Sequence, residues 1–175
     1  RPGHGSGDCA HRRGREPAPQ RQDVDELDPE RGHVELPKEH TLEGTRIVLD
    51  CSHGATYRVA PETFTELGAE VTTLFDEPNG RNINLDCGSQ HPGSLAAEVR
   101  KTGAEMGFAF DGDGDRLIAV DETGTVLTGD QILAVCAQVL KKEGGLANNL
   151  VVRTVMSNIG LGVTLDALGI GSVMA

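Results

Sequence analysis

Residues 111–116 read Asp-Gly-Asp-Gly-Asp-Arg and follow directly on the apolar run Met106–Phe110. In extended backbone, residues i, i+2 and i+4 share one side, so the carboxylates of Asp111, Asp113 and Asp115 converge, while Gly112 and Gly114 let the loop bend without Cβ clashes. Three anions that close repel one another unless a cation lies among them. A shell made only of carboxylate oxygens suits a hard ion, and Mg²⁺ takes a few carboxylates while keeping positions for water or phosphate. The pattern predicts a metal loop for phosphate chemistry.

The rest of the chain narrows the setting. A formal net charge of -11 argues against nucleic acid or an anionic membrane as the main partner, because both select basic surface. Aromatic residues make up 3% of the chain and Trp is absent, which leaves few platforms for stacking bases. No apolar run approaches the ~20 residues of a membrane span, and no signal-like segment opens the chain, so a cytoplasmic protein is expected. The chain opens at Arg1 and stops at Ala175 inside an apolar stretch, which suggests a fragment. Cys9, Cys51, Cys87 and Cys136 form no C-x-x-C pair and have no His at zinc spacing; they read as reduced thiols, with Cys51 and Cys87 the candidates for reactivity.

Residues 1–40 carry five of the eight prolines and mixed charge, with little periodic apolar pattern, and are expected to be a linker or disordered lead-in. From Arg46 the texture alternates between strand and helix. Strands are predicted at 46–50, 71–75, 106–110, 117–120, 125–127 and 150–155. Helices are predicted at 60–67, from a Ser94 cap to Lys101, over 130–142, and from Ser157 or Asn158 to Leu168. Met106–Phe110 is apolar throughout and fits a strand buried on both faces. The long loop 76–93 is too long to be idle. The expected fold class is α/β: a three-layer metal-binding domain at 41–145 with a mixed sheet between helices, then the beginning of a second similar α/β domain at 146–175.

Several sites place alternating aspartates after a regular element. Asp111, Asp113, Asp115 and Glu122 fall at positions one, three, five and twelve of a calcium EF-hand loop, but Arg116 stands where that loop needs Gly. An aspartyl-phosphate phosphatase delivers one Asp from a buried strand as nucleophile and a second, two residues on, as acid; Thr154 would then offer a phosphate-binding hydroxyl. A solvated acidic turn with no ligand would lose stability for no gain.

Beyond the loop, residues 42–175 resemble the α-D-phosphohexomutases, whose metal loop is DGDGDR. The segments IVLDCSHGATY (47–57), APETFTELGAEV (60–71), NINLDCGSQHP (82–92), GDQILA (129–134) and TVMSNIG (154–160) are most like the bacterial branch that interconverts glucosamine 6-phosphate and glucosamine 1-phosphate. The resemblance implies the second, metal-carrying domain and the start of the third of a four-domain, Mg²⁺-dependent enzyme with a phosphosugar substrate. Its phosphoserine lies in another domain, and its product feeds amino-sugar and cell-wall precursor biosynthesis. By that likeness Asp111, Asp113 and Asp115 are metal ligands and Arg116 binds phosphate. No catalytic residue is expected within the chain, because no Ser followed by Asn-Pro or His-Asn-Pro occurs, so the isolated chain is expected to be inactive. A non-catalytic metal-binding docking module is the reading of a different class.

Other residues invite roles. His53 and His91 lie in loops that border a cleft or merely the surface. Asn82, Asn84 and Asp86 read as turn-formers. Asp130 reads as the cap of the helix that follows, and Lys141 and Lys142 suit that helix's C-terminal end.

Overall fold

The computed structural model describes residues 41–175. The expected lead-in, with Cys9, lies outside the described residues. A five-stranded sheet runs in the order β2-β1-β3-β4-β5, from β1 (Arg46–Asp50), β2 (Glu70–Leu74), β3 (Met106–Phe110), β4 (Leu117–Asp121) and β5 (Val126–Leu127). β2, β1 and β3 are parallel, β4 runs antiparallel to β3, and β5 antiparallel to β4. It is therefore the expected mixed sheet.

Side-chain alternation along β1 sorts the core into two layers. Ile47 and Leu49 point to the face covered by α1 (Val59–Glu66), where Phe64 stacks on Phe108 with ring centroids 5.6 Å apart. Val48 points to the face covered by α2 (Gly93–Thr102), among Leu95, Ala96, Val99, Ala109 and Val120. Burial of such side chains is the main favourable contribution to folding.

β3 shows why its sequence alternates small with large. A Cβ on Gly107 would stand 2.7 Å from Leu95 Cδ1 and Val99 Cγ2, so α2 seats close only over Gly107 and Ala109. Those two positions are fully buried, whereas Met106, Phe108 and Phe110 on the α1 face are half-buried. The expectation of equal burial on both faces is corrected to that extent.

Helix entry also differs from expectation. Ser94 does not cap α2; Pro92 stands at the N-cap without a side-chain bond. Asp130 does not cap α3 (Gly129–Lys142) either. Thr128 does, accepting from the Gln131 N–H while the Gln131 side chain accepts from the Thr128 N–H in a reciprocal box. The Asp130 carboxylate accepts instead from the Asn158 N–H at 2.9 Å.

The last part of the chain pairs β6 (Leu150–Arg153) with β7 (Gly171–Met174) in parallel, connected through α4 (Ile159–Ala167). β7 was not anticipated. Asn158 caps α4 as expected, accepting from the Gly160 N–H. Ala137 of α3 is buried with Val151, Leu161, Leu165 and Ile170, so α3 packs with this second sheet. Lys141 and Lys142 stand in the last turn of α3 as expected, and the Lys141 ammonium also donates to the Leu168 and Gly169 carbonyls, just past α4, at 2.6 and 2.9 Å.

Candidate metal centre

Parallel β1 and β3 end side by side, with Asp50 paired to Ala109, so the loops leaving them meet at the carboxyl edge of the sheet. This edge is where open α/β sheets bind ligands. The β3 loop turns at once. The Gly114 N–H donates to the Asp111 carbonyl at 3.0 Å, and the Asp111 N–H donates to the Arg116 carbonyl at 3.2 Å, closing the turn between β3 and β4.

This turn gathers the predicted residues. One carboxylate oxygen each from Asp111, Asp113 and Asp115 lies within 4.8 Å of the others. Asp111 is buried, while Asp113 and Asp115 are exposed. Arg116 bridges two of them, its Nη2 on Asp111 Oδ2 and its Nε donating to Asp115 Oδ1 at 3.3 Å. The donor set is entirely hard oxygen, which suits Mg²⁺ and excludes soft thiolate coordination.

The electrostatics carry the mark of crowded anions. A hydrogen bond with the Asp113 side chain, helped by Arg116, holds the Asp111 carboxyl below its ordinary range. The same bond, with the charges of Asp111 and Asp115, pushes Asp113 up. The two carboxyls are therefore driven apart, Asp111 giving up its proton more readily than Asp113, as neighbouring carboxylates do. Arg116 is pushed up, chiefly by the Asp111 charge.

Two further loops wall the turn. The loop after β1 comes so close that a Cβ on Gly54 would stand 2.3 Å from the Gly112 carbonyl oxygen, and the Ala55 N–H donates to that oxygen at 2.8 Å. The long loop before α2 lays Ile83 and Asn84 against Gly112 from another side. Its length is thus used in part to shape the aspartate turn.

The remaining candidates fall into place around these loops. His53 accepts the Glu77 N–H at 3.2 Å and sets its ring edge-on to Phe75. The His91 N–H donates to the Gly88 carbonyl at 3.0 Å. Asn82 accepts from the Asn79 N–H and donates to the Glu77 carbonyl, which makes it a turn-former. Asn84 and Asp86 adopt left-handed backbone with φ of 57° and 53°. The Thr154 hydroxyl accepts from the Met156 N–H within its own turn. Cys51 and Cys87 are buried, and loss of hydration pushes their thiols up to about 12 and about 11, which keeps them protonated and unreactive.

Sequence reasoning missed Asp50, a fully buried carboxylate that closes β1. Burial pushes its carboxyl up, against the opposing pull of the Gly88 and Ser52 amides. The available signal was a charge at the last place of a strand otherwise apolar from Ile47 on.

Comparison with known proteins agrees along most of the chain. Residues 25–124 match the family model described as phosphoglucomutase/phosphomannomutase, alpha/beta/alpha domain II, and residues 128–175 match alpha/beta/alpha domain III. The phosphoglucosamine mutase of Syntrophus aciditrophicus is 73% identical over 139 residues, covering 79% of this chain and 31% of that protein. The phosphoglucosamine mutase of Syntrophobacter fumaroxidans is 57% identical over 134 residues, covering 77% of this chain and 30% of that protein. The chain thus spans about a third of the length of these relatives. A crystal structure of a phosphoglucomutase/phosphomannomutase family protein from Burkholderia thailandensis superposes with a TM-score of 0.64 at 31% identity, covering 74% of this chain and 29% of that one. An N-acetylglucosamine-phosphate mutase of the alpha-D-phosphohexomutase superfamily shares the fold, with a TM-score of 0.55 at 21% identity over 76% of this chain and 33% of that one. With the mixed sheet, the aspartate turn and two consecutive domain matches in agreement, the chain belongs to the phosphoglucomutase/phosphomannomutase family.

Proposed function

We propose that this chain supplies the metal-carrying domain and part of the following domain of a cytoplasmic phosphoglucosamine mutase, which interconverts glucosamine 6-phosphate and glucosamine 1-phosphate. The observation that carries the reading is the convergence of three carboxylate oxygens within 4.8 Å beside a guanidinium, at the carboxyl edge of the parallel strands of the mixed sheet. The 73% identity to a phosphoglucosamine mutase supports the choice of sugar. The domain division we favour falls between residues 124 and 128, which leaves α3 with the second sheet.

In this reading Asp111, Asp113 and Asp115 hold Mg²⁺. When bound, the ion supplies positive charge against the transferred phosphoryl group, where catalysis depends on positioning and charge stabilisation. Arg116 is poised to exchange its carboxylate partners for an incoming phosphate, a geometry its planar fork of donors suits. The phosphoserine and the remaining substrate contacts come from other domains, so the 175-residue chain alone does not turn over glucosamine 6-phosphate.

A chimera tests this directly. Residues 42–175 of this chain, placed in the corresponding segment of the Syntrophus enzyme, should convert glucosamine 6-phosphate, and Asp113→Asn in the chimera should abolish conversion. Arg116→Ala should lower conversion by about 10²-fold, as for other removed charge-stabilising donors, while Mg²⁺ affinity stays equal or rises. Equal loss of both, or an inactive but folded chimera, would overturn the assignment.

A further inference from the structure

We propose that Asp50 is a positioning residue for the aspartate turn, acting through the two loops whose backbones it ties together. The carboxylate is fully buried. Its Oδ1 accepts the Ser52 N–H at 2.9 Å and its Oδ2 accepts the Gly88 N–H at 2.9 Å. The two oxygens thus engage two different loops, 36 residues apart in sequence (88 minus 52). A buried carboxylate is costly to keep unless it is hydrogen-bonded, and charge-assisted bonds to backbone amides are the strong kind.

The two loops it joins are the ones that wall residues 111–115. From the first, the Ala55 N–H donates to the Gly112 carbonyl, with Gly54 in close approach. From the second, Ile83 and Asn84 lie against Gly112, and a Cβ on Gly88 would stand 2.6 Å from the Phe110 carbonyl oxygen. A further strut, the Asn84 N–H donating to the Ser52 carbonyl at 2.9 Å, links the loops to each other. β3 fixes where Asp111 starts, but the course of Gly112 is set between these walls. Asp50 therefore reaches the carboxylate trio without touching it. Outer-sphere groups of this kind orient the ligands and tune affinity. The inference rests on the reading of Asp111, Asp113 and Asp115 as a Mg²⁺ site.

The test compares the full chain with Asp50→Asn, which keeps the side-chain shape but offers only one acceptor oxygen for the two amides. Amide hydrogen exchange is read in metal-free buffer, and Mg²⁺ affinity by calorimetry. The variant should keep protection at Val48, Leu49 and Val120, lose it at Ala55, Asn84 and Gly88, and bind Mg²⁺ about tenfold more weakly. A variant that stays folded and binds Mg²⁺ as tightly as the unaltered chain overturns the proposal, as does unchanged exchange at Ala55 and Asn84. Failure of the unaltered chain to bind Mg²⁺ overturns the metal reading instead, and is told apart because exchange is measured without metal. Should Asp50→Asn not fold, Gly88→Ala displaces the same amide while leaving the carboxylate intact, and undiminished Mg²⁺ affinity there is equally fatal to the proposal.

Discussion

Residues 46–127 and residues 129–174 use strands and helices of similar length but dispose of their apolar side chains differently. In the first region both faces of β1 are covered, and Ile47, Val48, Leu49, Leu95, Val99 and Val120 are all at most 1% exposed. In the second, five side chains form the buried cluster, while Val155, Met156 and Ile159 stand 74%, 87% and 83% exposed. α4 buries Leu161 and Leu165 while Ile159 and Val163 stand exposed, so its apolar side chains are not gathered on one covered face. Among the described residues, the first region covers its own apolar faces and the second leaves part of its apolar surface uncovered. The close-packed layers hold the strand ends that aim the aspartate turn, and a charged constellation needs such a support because small displacements weaken it. Capping bonds and backbone ties join the elements of the second region around its buried cluster, with Lys141 on the carbonyls that follow α4 and Asp130 on the α4 entrance.

The largest expected effect comes from breaking each core in turn. Leu95→Ala removes a fully buried side chain between α2 and the sheet and should cost about 3 kcal/mol, within the range for leucine truncations in cores. Leu165→Ala, also fully buried but in the smaller cluster, should cost about 2 kcal/mol because its surroundings can collapse more readily. Urea denaturation followed by Mg²⁺ titration separates the two regions. Leu165→Ala should leave Mg²⁺ affinity unchanged while lowering the midpoint of a separate, earlier transition. A single transition that both variants shift alike would mean that the regions unfold as one body.

Much of this contrast was legible in the residues. The aspartate turn, the strand that feeds it and the hairpin after it announced themselves because glycine spacing, apolar runs and turn residues all agreed locally. The family likeness then suggested the site roles proposed above. What escaped notice depended on contacts distant in sequence. Nothing local marks Asp50 as the anchor of Gly88, 38 residues away. Thr128 and Gln131 do spell a capping box, but Asp130 beside them offered an equally plausible local cap and its true partner lies 28 residues on. The small residues of β3 read as apolar, although their real meaning is the close seat of α2. β7 was invisible because Gly171–Met174 is short and lacks a turn signal after it.

A smaller effect sharpens the second half of the comparison. If its capping box holds the start of α3, then Thr128→Ala should cost about 1 kcal/mol, the usual loss for an N-cap hydroxyl. Far-UV circular dichroism during urea titration reads it, and the loss should appear in the transition assigned to residues 129–174. Gln131→Ala should cost less, since it leaves the Thr128 hydroxyl on its N–H. Equal effects would show that the reciprocal arm, not the hydroxyl, carries the cap.

Acid should act on the first region through carboxyls shifted in opposite directions, Asp113 upward and Asp121 downward among them. Asp121 takes bonds from the Thr123 hydroxyl and from the Thr123 and Thr125 N–H groups, and these hold its carboxyl below the ordinary range. Its contribution is therefore present above the unfolded value of about 3.9 and is lost as pH falls through the lower folded value. Asp113 is pushed the other way by Asp111 and Asp115, so the folded chain binds its proton more readily than the unfolded chain does. In metal-free buffer its protonation relieves repulsion, and stability should rise as pH falls through that raised value before Asp121 begins to release its turn. With saturating Mg²⁺ the first phase should invert, because protons then compete with the ion for the same oxygens. Thermal midpoints measured from pH 7 to pH 3, with chelator and with Mg²⁺, give both curves. Asp113→Asn should shrink the early phase, which it shares with the raised Asp50, and Asp121→Asn should shrink the late one, which it shares with the lowered Asp111 and Glu105. Identical curves with and without Mg²⁺ would detach the aspartate turn from metal altogether, and the first region would lose its distinction from the second as the seat of chemistry.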